Sequence, residues 1–249
     1  MKNLTLENIA RVCGGTYYGP ADKLQEEVMS VITDSRKAEE GCLFIPIVGE
    51  RVDAHKFIPQ VMEAGALATL SERVLDNADF PYIAVESSLQ AVKDIAEFYL
   101  KQLQIPVVGI TGSVGKTTTR EMISTVLASQ KKVFQTIGNQ NSQIGVPLTL
   151  SHLTREDEIA VLEIGMSERG QIEKLTNMIL PNVAVVTMIG VSHIAQLKTQ
   201  ENICLEKMDI VKGLPEDGMV FLNGDDKFLA PYRDKLSHKT FFYGMDKAC

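Results

Sequence analysis

The segment Val107-Val108-Gly109-Ile110-Thr111-Gly112-Ser113-Val114-Gly115-Lys116-Thr117-Thr118 runs from an apolar, β-branched stretch through paired glycines into a lysine and two hydroxyls. That order of residue types suits phosphate binding. Gly112 and Gly115 let the backbone turn without Cβ clashes, so successive N–H groups and the positive end of the following helix face phosphate oxygens. Thr111, Ser113 and Thr118 would complete the cradle, Lys116 would stand by the β- and γ-phosphates of a nucleotide, and the Thr117 hydroxyl would ligate Mg2+. The spacing departs from Gly-x-x-x-x-Gly-Lys-[Ser/Thr], because Ile110 occupies the first glycine position. An ordinary glycine-rich turn is the bland alternative.

Two further positions fall at strand ends. Glu163 closes the run Ile159–Ile164, and His193 follows Val183–Thr187, so both reach the sheet edge that carries the phosphate loop. A carboxylate there is a candidate Mg2+ ligand and the imidazole a second one. A strand-end charge and a structural histidine are the competing readings. Between them lies Gly138-Asn139-Gln140-Asn141-Ser142-Gln143-Ile144-Gly145-Val146-Pro147, where Asn139 and Asn141 have amides that both donate and accept. Each serves equally well as a local turn cap.

These residues need a scaffold that brings strand ends together. From residue 107 onward apolar β-branched runs alternate with helical patterns: strands Val107–Thr111, Lys132–Gln135, Ile159–Ile164, Val183–Thr187, Met219–Leu222 and Thr240–Tyr243, and helices Thr117–Leu127, Gly170–Met178 and Thr199–Val211. Such alternation predicts a mostly parallel sheet covered on both faces, with ligands at the carboxyl ends of its strands. Residues 1–103 read as a smaller α/β domain with a strand over Leu43–Val48 and helices over Phe57–Ala64 and Leu89–Leu100; the polar run Lys101–Gln104 marks the boundary, and 104–249 forms the second domain.

Composition narrows the function classes. With 25 basic against 32 acidic residues the net charge is −7, which argues against a nucleic-acid surface. Cys13, Cys42, Cys204 and Cys249 lack metal or redox spacing, so reduced thiols in the cytoplasm are expected. No stretch approaches the ~18 apolar residues of a membrane span, and Met1–Gly15 has no signal-peptide core. No membrane insertion is expected.

The stretch Thr111–Thr119 resembles the shortened phosphate loop of the Mur ligases and folylpolyglutamate synthetases, and the rest of the chain extends the resemblance to the Mur ligases. Glu163 and His193 match that family's metal ligands. Lys207, within Glu206-Lys207-Met208-Asp209, matches the lysine the family uses in carbamylated form; read alone it is a solvated helix lysine. The 138–147 segment is similar to that of family members adding D-alanyl-D-alanine, rather than the Thr-Thr-Pro segment of those adding the third amino acid. Thr33-Asp34-Ser35-Arg36 and Gly49-Glu50-Arg51-Val52-Asp53-Ala54-His55-Lys56-Phe57 are similar to signatures of the UDP-binding domain. There Ser35 and Arg36 would hold the uridine or diphosphate, and a plain turn is the alternative. Asp53 and His55 are equally suited to closing a loop.

The resemblance implies a monomeric ATP- and Mg2+-dependent ligase that joins D-alanyl-D-alanine to UDP-N-acetylmuramoyl-tripeptide through an acyl phosphate. Departures are Ser142 for a second asparagine, Met188 for asparagine, Ala54 for glycine and Ile194-Ala195 for Leu-Glu. Since the family continues into a C-terminal domain, the chain reads as an incomplete ligase whose activity alone is in doubt. Competing readings are a noncatalytic nucleotide- or UDP-sugar-binding module, the ligase adding the diamino acid, and a P-loop GTPase. The GTPase is disfavoured because Asn223-Gly224-Asp225-Asp226 does not match Asn-Lys-x-Asp.

Overall fold

A computed structural model describes residue 1, residues 3–49 and residues 51–245. Glu50 of the Gly49–Phe57 signature and Cys249 lie outside the described residues. The chain divides into two compact units, 1–102 with 150–154, and 103–149 with 155–249.

In the first unit a five-stranded sheet has the order β1-β5-β4-β3-β2, from Thr16–Tyr18 (β1), Ser30–Ile32 (β2), Cys42–Phe44 (β3), Ala68–Ser71 (β4) and Tyr82–Ala84 (β5). Only the β1–β5 pair is antiparallel. Helices Leu6–Val12 (α1), Ile58–Glu63 (α2) and Ser88–Leu103 (α3) accompany it. Thr5 caps α1 by accepting from Asn8 N. Helix α3 buries Ala91, Val92, Ile95, Ala96, Tyr99 and Leu100, the 3.6-residue stripe of a helix with one face on a core.

Several boundaries differ from the sequence expectation. The strand expected over Leu43–Val48 ends at Phe44, since Pro46 has no N–H to continue a ladder. The helix expected from Phe57 starts at Ile58 after a 3-10 turn over Ala54–Phe57. The polar run 101–104 is helical through Leu103, because Lys101 pairs with Glu97 one turn back and nothing breaks the helix until Gln104 turns left-handed at φ 52°.

The second unit contains a six-stranded sheet of order β11-β10-β9-β6-β8-β7, every neighbouring pair parallel. Its strands are Val107–Thr111 (β6), Val133–Gln135 (β7), Ile159–Glu163 (β8), Val183–Val186 (β9), Met219–Asn223 (β10) and Lys239–Tyr243 (β11). Among the described residues the helices Lys116–Leu127 (α4), Gly145–Leu150 (α5), Gln171–Ile179 (α6), Ile194–Leu197 (α7) and Gln200–Met208 (α8) join them. The mixed α/β fold with mostly parallel sheets is the one the alternation predicts. The helix expected over Thr199–Val211 gives way at Asp209 to a 3-10 turn ending at Gly213, where a Cβ would lie 2.5 Å from the Thr176 carbonyl.

Strand β6 is buried throughout, and Val108 and Ile110 pack with Val161 and Val185 of its neighbours. It lies between β8 and β9, where the chain switches direction across the sheet. The crevice beyond its carboxyl end is therefore the switch-point position where open α/β sheets place ligands.

Candidate nucleotide-binding cleft

At the end of β6 the backbone enters the phosphate loop through Gly112 at φ 151° and leaves it through Gly115 at φ 84°, which caps α4. Both conformations favour glycine. The loop is laced to the segment after β9: Ser113 N donates to the Met188 carbonyl at 2.8 Å, Thr187 Oγ1 to the Val114 carbonyl at 2.5 Å, and Ser192 Oγ to the Ser113 carbonyl at 3.3 Å. That segment is pinned in turn by Asp226, whose carboxylate accepts from Ile189 N at 2.6 Å.

A cleft of about 310 Å3 opens there. Gly112, Ser113, Lys116, Asn141, His193 and Lys207 share its wall, so six positions singled out in the sequence meet in one place. Lys116 Nζ donates to the Gly112 carbonyl at 2.9 Å, and burial lowers its pKa against the opposing pull of Glu163. Lys207 is 2% exposed. Burial, then repulsion from Lys116, brings its pKa down to about 7, with Glu206 opposing. His193 follows the same physics, its pKa lowered by desolvation and then by Lys207 and Lys116. It holds a left-handed backbone at φ 64°, a conformation that costs a non-glycine residue about 1–3 kcal/mol.

The remaining expected site residues stand elsewhere. Glu163 is 1% exposed and does not line the cleft; its Oε1 lies 3.0 Å from Arg120 Nη1, and Asn141 Nδ2 reaches its Oε2 at 3.4 Å. Thr111 is fully buried at the strand end. Thr117, Thr118 and Asn139 are exposed and outside the cleft lining. Ser35 and Arg36 belong to the first unit, where Asp34 caps a 3-10 turn and holds the exposed Arg36 guanidinium through contacts of 2.9 and 2.6 Å. Asp53 and His55 close a loop, the imidazole Nδ1 on Asp53 at 2.6 Å and Nε2 accepting from Glu72 N.

Arg120, Thr187, Gln171 and Glu206 were not singled out from the sequence. Arg120 falls one turn after Lys116 on α4, a spacing that could have drawn attention to it. Glu206 accepts from Gly170 N at 2.8 Å and Ile172 N at 3.0 Å, capping α6 and fixing α8, which carries Lys207.

Among the described residues no three His, Cys, Asp or Glu side chains converge on one point. Thr111 Oγ1 and Ser113 Oγ are nonetheless buried oxygens without a hydrogen-bond partner, which suits a site completed by an arriving ligand, whereas Glu163 Oε1 is ion-paired with Arg120. Among the described residues no helix is long and apolar enough to cross a membrane.

Residues 110–249 match the Mur ligase middle domain. The UDP-N-acetylmuramoyl-tripeptide–D-alanyl-D-alanine ligase of Bacillus subtilis (strain 168) is 42% identical over 96% of this chain and 52% of its own length. The Escherichia coli (strain K12) ligase of the same name is 35% identical over 91% and 49%. Among solved structures, MurF from Acinetobacter baumannii superposes with TM-score 0.90 at 31% identity, covering 96% of this chain and 53% of that one. The MurF ligase from Thermotoga maritima in complex with ADP gives 0.79 at 34%, covering 86% and 50%. The chain thus spans about half the length of the relatives it matches. With more than half of its residues in the matched middle domain, and with its phosphate loop, Lys116 and His193 meeting at the switch point of that domain's sheet, the chain belongs to the Mur ligase family.

Proposed function

We propose that the protein is an ATP-dependent ligase of peptidoglycan precursor synthesis, joining D-alanyl-D-alanine to UDP-N-acetylmuramoyl-tripeptide. On this reading residues 1–103 bind the UDP-muramoyl-peptide and 104–249 bind ATP. The observation that carries it is the cleft where the phosphate loop, Lys116, Lys207, His193 and Asn141 converge. The ADP complex of the similar Thermotoga maritima MurF ligase supports nucleotide use, and the names of the relatives support the substrates.

The chemistry joins three anions at one point. The tripeptide's terminal carboxylate attacks the γ-phosphorus, ADP departs, and the amine of D-alanyl-D-alanine then displaces phosphate from the acyl carbon while losing a proton. Lys116 and the loop N–H groups neutralise the phosphate oxygens, which lets a carboxylate approach a polyanion. Asn141, at the cleft wall, has an amide able to orient the peptide end. Mg2+ would supply further charge neutralisation, and Thr117, Glu163, His193 and Lys207 are the residues that would hold it. An ammonium at Lys207 cannot ligate, but burial brings its pKa down to about 7, which makes the neutral amine far more accessible than in an exposed lysine. Its reaction with CO2 forms an N–C bond, releases one proton and leaves an anionic oxygen donor suited to a hard cation.

Free cysteines at 13, 42 and 204 accord with work in the cytoplasm, and a monomer is the proposed state. Calorimetry of UDP-N-acetylmuramoyl-tripeptide against the dipeptide form tests the reading. Tighter tripeptide binding, weakened by Arg36→Ala and by Asn141→Ala, is the expected result. Equal affinity for both nucleotides would remove the substrate assignment, and no binding by a folded protein would remove the ligase reading.

A further inference from the structure

We propose that Arg120 is a positioning residue for the peptide substrate: its buried guanidinium ties the segment presenting Asn141 to Glu163, although Arg120 does not line the cleft. The proposal rests on the ligase reading and adds to it a residue that acts through others.

Arg120 is 5% exposed and sits one turn after Lys116 on α4. Its Nη1 lies 2.9 Å from the Thr136 carbonyl, 3.3 Å from the Gly138 carbonyl and 3.0 Å from Glu163 Oε1, while Nη2 pairs with the Glu121 carboxylate. The 136–138 segment is held to the end of β8 a second time, because Glu163 N donates to Thr136 Oγ1 at 2.7 Å. Past Gly138, at φ 55°, the chain turns so that Asn141 N donates to the Asn139 carbonyl and the Asn141 carbonyl accepts from Gly165 N at 2.7 Å. Asn141 Nδ2 then meets Glu163 Oε2 at 3.4 Å.

The Glu163 carboxylate is thus shared, one oxygen toward Arg120 and the other toward Asn141. The place of the Asn141 amide in the cleft wall follows from where Glu163 is held, and Glu163 is held by Arg120. A guanidinium suits this task because its planar fork can face carbonyls and a carboxylate together and stays charged, whereas a lysine offers one point charge. Removing it frees the 136–141 segment on one side of the cleft and leaves the phosphate loop, tied to Thr187 and Ser192, on the other.

The test measures, in the full-length protein, the calorimetric affinities for UDP-N-acetylmuramoyl-tripeptide and for ADP without added divalent cation. Arg120→Met is expected to weaken tripeptide binding about tenfold or more while ADP affinity changes less than about threefold, with Arg120→Lys intermediate. In a cycle with Asn141→Ala, the double variant is expected to bind the tripeptide no worse than the weaker single variant, since both act through one segment. Amide exchange in 137–141 should quicken in Arg120→Met. Should that variant not fold, Arg120→Lys and Thr136→Val, which removes the Thr136 Oγ1 acceptor, carry the same comparison. Additive losses in the cycle, or equal losses of ADP and tripeptide affinity, overturn the proposal. A wild-type protein that binds no tripeptide overturns the ligase reading itself, a result that involves no variant.

Discussion

A β-carbon placed on Gly112 would stand 1.8 Å from Thr187 Oγ1, and that same hydroxyl donates to the Val114 carbonyl at 2.5 Å. The ends of two adjacent strands, β6 and β9, therefore interlock through one glycine and one threonine. The glycine supplies the space the hydroxyl occupies, and the hydroxyl fixes the course of the loop at Val114.

Gly112→Ala is accordingly expected to displace the loop, because the added carbon meets a side chain held from behind and the φ of 151° disfavours any Cβ. We expect ADP affinity to fall by about tenfold or more. Thr187→Val, which keeps the shape and loses the donated hydrogen bond, should cost about 1 kcal/mol of stability with a smaller loss of affinity. Titration calorimetry and urea unfolding on both variants check this; wild-type ADP affinity in Gly112→Ala would show that the interlock does not shape the site.

Lys207 predicts a pH dependence of stability. Its folded-state pKa of about 7 lies below the value of an unfolded lysine, so between the two the unfolded chain binds more protons. Stability then rises with pH from about 7 towards ~10, with a slope of at most about 1.4 kcal/mol per pH unit from this group. Lys207→Met should remove that contribution. Urea unfolding of both proteins at several pH values, in CO2-free and metal-free buffer, checks it; parallel pH profiles would contradict the low pKa.

Glu206 shapes the same lysine from the neighbouring position. Its carboxylate caps α6 through two N–H groups and opposes the fall in the Lys207 pKa. Glu206→Ala should cost about 2–3 kcal/mol, the scale of lost hydrogen bonds to a charged group. Glu206→Gln should lower the Lys207 pKa further, visible as a displaced NMR titration of that side chain. An unchanged titration would separate Glu206 from the site.

The phosphate loop was legible in the sequence because its logic is local: a buried strand, glycines where φ must be positive, and a lysine at a helix start. The parallel sheet was legible through periodicity, and with it the common edge reached by Glu163 and His193. Arg120 and Thr187 were not, because what defines them is distant in the chain, Thr136 lying 16 residues from Arg120 and Val114 lying 73 from Thr187. Glu163 illustrates the limit from the other side. Its strand-end position is plain in the sequence, but only the fold reveals that it faces a buried arginine rather than the open cleft. At Thr33–Arg36 Asp34 accepts from both the backbone and the guanidinium of Arg36, a contact two residues apart that the residue types alone do not announce.

Asn139 and Asn141 were equivalent in the sequence, and their surroundings now separate them. Asn141 lines the cleft and contacts Glu163, whereas Asn139 is exposed, outside the cleft lining, and contributes its carbonyl to a local turn. Asn141→Ala removes an amide at the cleft wall, so UDP-N-acetylmuramoyl-tripeptide binding should weaken about tenfold, the loss of one well-placed polar contact. Asn139→Ala leaves the turn's backbone bond in place and should change the affinity less than about twofold. Side-by-side calorimetry decides the matter: a larger loss at Asn139 would mean that the bound segment adopts a different conformation, with its exposed end turned toward the substrate.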